Sequence, residues 1–170
     1  MPLPPAHALS VLFLFLKNQR FFDPLALLMS ATAVDLEPLY YIVVGNALGH
    51  QIWHGYFLLL TVYPLLILLA VYAIENFLPN QLWSTYNVLR WKPVQVKYSL
   101  FSIYVCCLIG AFSHVFFDMF THESLPFVIY PFFVGNNPFY IGNASWVVEA
   151  AVVVLALYSI YCWIKSAKSP

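Results

Sequence analysis

The chain has 170 residues, of which 62% are hydrophobic and 8% charged, and its formal net charge is zero. Soluble domains carry about 25% charged residues. With a mean hydropathy of +0.80, this composition excludes a soluble globular protein and describes an integral membrane protein, and the neutral balance leaves no electrostatic footprint for nucleic acid. The cysteines Cys106, Cys107 and Cys162 lie in apolar stretches and read as small packing residues, not as a disulfide framework or a thiolate metal site.

The N-terminal stretch holds Pro2, Pro4 and Pro5 and lacks the basic region of a signal peptide, so no processing is expected. Ala8 to Leu16 is apolar but too short to cross a hydrocarbon core of about 30 Å, and reads as a half-depth helix ending at Lys17 to Arg20. A second segment runs from Pro24, with Asp23 as its cap, to about Gly45; Pro38 is expected to kink it just after the acids Asp35 and Glu37. Trp53 to Ile74 reads as an uninterrupted span, Asn76 to Lys97 as the main polar loop, and Tyr98 to about Thr121 as the next span. Ser124 to Asn143, rich in proline and aromatic residues, reads as a loop against the membrane surface, and Trp146 to Ile164 as the last span. The expected fold is an all-α membrane bundle of about four spans plus the half-depth helix, in one domain over residues 1–170.

Orientation follows from the basic residues. The 76–97 loop and the C-terminal tail carry five of the seven Lys and Arg residues (Arg90, Lys92, Lys97, Lys165, Lys168), which places both in the cytoplasm of a multi-pass inner-membrane protein. The histidines then gather toward the opposite face.

The polar residues have a pattern that packing does not require. His114, Asp118 and His122 recur at i, i+4 and form one stripe on a helix. His50 and His54 repeat that spacing, Asp35 and Glu37 interrupt the preceding apolar segment, and His7 opens the half-depth helix. Ionisable side chains at membrane depth are costly and are a functional-site hypothesis by default. Imidazole and carboxylate together suit a divalent ion, zinc first, with manganese or iron as alternatives. Taken singly, each has another reading: an interfacial histidine, a buried His114–Asp118 pair, or Asp35, Glu37 and Glu149 complementing helix starts.

The stretches M-P-L-P-P-A-H, F-D-P-L-A-L-L-M-S-A-T-A-V-D-L-E-P-L, G-H-Q-I-W-H-G, S-H-V-F-F-D-M-F-T-H and Y-P-F-F-V-G-N-N-P-F-Y occur in this order. So arranged, the chain resembles a family of small bacterial and archaeal membrane proteins described as inner-membrane metal-dependent hydrolases, many of unknown function. A more distant echo is the zinc-dependent phospholipase C and nuclease group. The resemblance implies metal positions at His7, Asp35, His54, His114 and Asp118, with His50 and His122 as additional or supporting groups. Two positions depart from the family pattern: Val34 stands where proline is common, and Gly55 where threonine or serine often follows the histidine.

The expected function is therefore a membrane-bound, metal-dependent hydrolase of phosphoester or lipid-type substrates. Asp118 or Asp35 would bridge if two ions bind, and Glu37 would orient water or act as general base. A non-catalytic metal or proton carrier is the main alternative, ahead of a di-iron oxygenase and a purely structural membrane protein.

Overall fold

The computed structural model describes residues 4–45, 50–91 and 97–168, and among these it is all-helical. The helices are α1 (Pro4–Lys17), α2 (Pro24–Ala33), α3 (Leu36–Val43), α4 (Tyr56–Leu60), α5 (Val62–Phe77), α6 (Pro79–Val88), α7 (Leu100–Thr121) and α8 (Ser145–Lys168). Single turns of tighter helix cover Ile52–His54 and Gly142–Ala144. Two helical stretches, Leu100–Thr121 and Gly142–Ala167, are long and apolar enough to cross a membrane. The number rises to four if α2 with α3, bent by 41°, and α5 with α6, bent by 94°, each count as one span. The helix at the N-terminus is shorter, as the half-depth reading requires.

Prolines set the breaks, and at Pro38 the break falls ahead of where the sequence reading placed it. A proline ring clashes with the carbonyl four residues before it. For Pro38 that residue is Val34, and α2 ends at Ala33, ahead of the acids and not after them. For Pro64 it is Leu60, where α4 ends, so the expected uninterrupted span from Trp53 to Ile74 is instead a single turn, α4 and α5 in succession. The expected polar loop over 76–97 also needs correction. Pro79 opens α6 at a position where a missing N–H costs nothing, and that helix occupies Pro79–Val88. The part of the loop over 92–96 lies outside the described residues.

α1 packs along α8 and α2, and α2 packs along the central α7, which also meets α4 and α5. Both helices bury small residues, Ala26, Ser30 and Ala31 on α2 and Cys106, Cys107, Gly110 and Ala111 on α7, and in the seam between them Gly110 meets Ser30 and Ala31 while the Ser30 hydroxyl reaches the Cys106 carbonyl. Small side chains let membrane helices approach closely, where lipid gives no hydrophobic drive to association. At Gly110 the approach is closest: a Cβ there would lie 2.7 Å from the Leu27 carbonyl oxygen and 3.1 Å from the Ala31 nitrogen. Both cysteines in this seam are free thiols, as the packing reading expects. Large apolar side chains such as Phe77, Leu69 and Val154 face outward.

Candidate metal centre

The break between α2 and α3 has a chemical consequence. Asp35 N–H donates to the Thr32 carbonyl, so the Ala31 carbonyl lacks its ordinary helical partner. His114 supplies one: its Nδ1 lies 2.7 Å from Ala31 O. The neighbouring carbonyl of Ser30 takes the Tyr63 hydroxyl at 2.8 Å. Because a backbone oxygen only accepts, His114 carries a proton on Nδ1, and its Nε2 is turned to the interior.

The same arrangement recurs at His54. Glu37 Oε2 accepts the Gln51 N–H at 2.8 Å and lies 3.1 Å from His54 Nδ1, while its Oε1 accepts the Trp53 N–H at 3.1 Å. Glu37 thus folds the single turn that carries His54 and fixes its proton on Nδ1, leaving Nε2 for the interior.

Both Nε2 atoms face carboxylates. His114 Nε2 is 3.0 Å from Asp118 Oδ2 and 3.3 Å from Asp35 Oδ1. His54 Nε2 is 3.9 Å from Asp118 Oδ2 and 4.0 Å from Asp35 Oδ1. One atom from each of Asp35, His54, His114 and Asp118 lies within 4.8 Å of the other three, a group able to hold a metal ion. Bonds of about 2.0–2.2 Å in a tetrahedral site separate ligand atoms by roughly 3.3–3.6 Å, in the middle of the observed range. The repulsion between the two facing carboxylates is offset by a cation among these atoms or by a proton on the His114 Nε2.

The remaining histidines surround this group. His7 Nε2 is 3.4 Å and His122 Nδ1 is 3.7 Å from Asp118 Oδ1, the oxygen turned away from His54 and His114. The His7 ring lies 4.4 Å from that of His114. His50 packs its ring 4.3 Å from His54 and 4.6 Å from His122. Burial, followed by the neighbouring His54 and His122 charges, pushes the His50 imidazole down to about 3, so it is neutral at physiological pH. All five histidines, Asp35, Asp118 and Glu37 therefore meet in one region. Glu149 is outside the group that can hold an ion.

Two supporting residues escaped the sequence reading, and a third, Gly55, was read only as a departure from the family pattern. Asn137 donates from Nδ2 to the Met119 and His122 carbonyls at 2.6 and 2.7 Å, closing the C-terminus of α7 beside the site. Gly110 admits α2, as described. At Gly55 a Cβ would lie 2.4 Å from the Phe127 carbonyl oxygen, so the departure from threonine or serine accommodates the 122–141 segment. An i, i+4 search finds candidate ligands, but contacts made by a backbone carbonyl or a missing side chain leave no such pattern.

These features define an all-helical protein of membrane type with a buried His/Asp group that could hold a metal ion. The family model described as Domain of unknown function (DUF4184) matches residues 1–169, and the chain belongs to that family. No curated protein and no solved structure matches it.

Proposed function

We propose that this protein is a membrane-embedded metal-dependent hydrolase, with one divalent ion, zinc first, held by Asp35, His54, His114 and Asp118. The observation that carries the reading is the pair of imidazoles whose Nδ1 atoms are engaged by Glu37 and Ala31 O, leaving both Nε2 atoms toward the same two carboxylates. Outer partners that fix the tautomer and direction of metal-binding histidines are a recurrent part of such sites. A bound ion supplies Lewis acidity, acidifying water and polarising a phosphoryl or carbonyl oxygen.

The chain's own residues do the rest. Glu37 orients His54, a role its engaged oxygens support better than that of general base. His7 steadies Asp118 by its second oxygen, while His122 Nδ1 is engaged by the Thr121 hydroxyl at 2.8 Å. Asp35 has the most exposed side chain of the four, at 22%, so substrate enters on its side and Asp35 accepts the proton lost by the attacking water. The substrate class is a lipid or other phosphoester, presented from the non-cytoplasmic leaflet of the inner membrane.

Elemental analysis of the purified protein in detergent tests the premise. One equivalent of zinc, manganese or iron is expected, with loss in H114A and D118A and loss of phosphodiester hydrolysis in parallel. A metal-free wild type, in which His114 would be an imidazolium paired with Asp35 and Asp118, overturns the reading. Full metal content without hydrolysis of lipid or soluble phosphoesters, together with metal flux in vesicles, would establish the carrier function instead.

A further inference from the structure

A second buried polar cluster lies at the other end of α2, ten helical residues or about 15 Å from Asp35. Asp23 and Glu75 are 0% and 1% exposed. Asp23 Oδ1 caps α2 by accepting the Leu25 N–H at 2.8 Å, and Glu75 Oε2 accepts the Tyr98 N–H at 3.4 Å. Their other oxygens, Asp23 Oδ2 and Glu75 Oε1, are buried and receive no N–H or O–H donor. The two buried carboxyl groups lie close enough to act on each other.

An ionised carboxylate only accepts, so two neighbouring buried carboxyl groups, each with one oxygen that no N–H or O–H reaches, can be joined only by a proton that one of them carries. Two buried like charges in contact also cannot both ionise without a large cost. The surroundings point the same way. The Tyr86 hydroxyl on α6 is buried without a partner and lies close enough to interact electrostatically with both acids. The Asp23 N–H donates to Cys106 Sγ on α7. Tyr98 donates its hydroxyl to Gln19 O, and Lys97, the cation acting on Glu75, is exposed and bonded to Asn76.

We propose that Asp23 and Glu75 form a proton-binding site, holding one shared proton at neutral pH, with the Tyr86 hydroxyl directed at the pair. The site is independent of the metal centre and of hydrolysis. The proton ties the start of α2 to α5, and α2 at its other end leads to Asp35.

Infrared difference spectroscopy of the full chain in nanodiscs at neutral pH reads this directly. The wild type is expected to show one carboxylic-acid carbonyl band that shifts in heavy water. D23N and E75Q, which keep a neutral donor in the contact, are each expected to lose that band while retaining wild-type metal content. Absence of the band in the wild type, or its persistence in both variants, overturns the proposal. A band that emerges only on removal of sodium, potassium or divalent cations also overturns it, because the pair would then be a cation site. Loss of metal in the wild type would defeat the hydrolase reading and leave this result untouched.

Discussion

Gly110→Ala tests the link between helix packing and the metal centre. An alanine Cβ would meet Ser30 Oγ at 2.0 Å, Leu27 O at 2.7 Å and Ala31 N at 3.1 Å. The Ser30 side chain can rotate, but the other two contacts are backbone, so α2 must retreat by several tenths of an ångström or more. That movement lengthens the 2.7 Å contact between His114 Nδ1 and Ala31 O, the bond that aims His114. Overpacking of this kind costs about 1–3 kcal/mol, and in a chain of this size 1 kcal/mol moves Tm by about 2–4 °C. The expected drop is therefore about 2–12 °C in detergent. Loss of an outer partner of a ligand weakens metal binding by about 10–100-fold, which competition with a chromogenic chelator measures. Adding S30A should restore only part of the Tm, since Leu27 O remains. A G110A protein with wild-type Tm and metal affinity would refute the argument that this seam positions His114.

Three further outcomes follow from the same geometry. Glu37→Gln keeps hydrogen-bonding capacity but frees the His54 tautomer, so chelator competition should show metal binding weakened about 10–100-fold with the fold retained. Tyr63→Phe removes the 2.8 Å bond to Ser30 O and should cost about 1 kcal/mol, read as a Tm lowered by about 2–4 °C. Burial raises the Asp23 carboxyl above its ordinary range. A carboxyl whose folded pKa is raised favours folding below its unfolded value, and that contribution is lost as pH rises through the folded one. Tm measured from pH 4 to 8 should therefore fall more steeply for wild type than for D23N, and parallel profiles would contradict the burial of an exchangeable proton there.

The fold class was legible because hydropathy acts locally: a stretch like Leu100–Thr121 is apolar whatever surrounds it. The cap at Asp23 was legible for the same reason, since a side chain that accepts from an N–H two residues on needs no tertiary partner. The His114–Asp118–His122 stripe follows from helix geometry alone. By contrast, the break in the 53–74 segment was written in Pro64 but overlooked, because average hydropathy outweighed a single ring that clashes four residues upstream.

The sequence by itself determined that imidazoles and carboxylates occur within an oily, helical chain, because composition and periodicity depend on neighbours along the backbone. Only the tertiary structure decided which nitrogen of each imidazole turns inward. That choice depends on a carbonyl released at Ala31 and a carboxylate brought from Glu37, partners 83 and 17 residues away in the chain. It also decided that Asp23 and Glu75, a helix cap and a span-end acid when read singly, meet in the interior, since only packing of α2 beside α5 and α7 removes both from solvent.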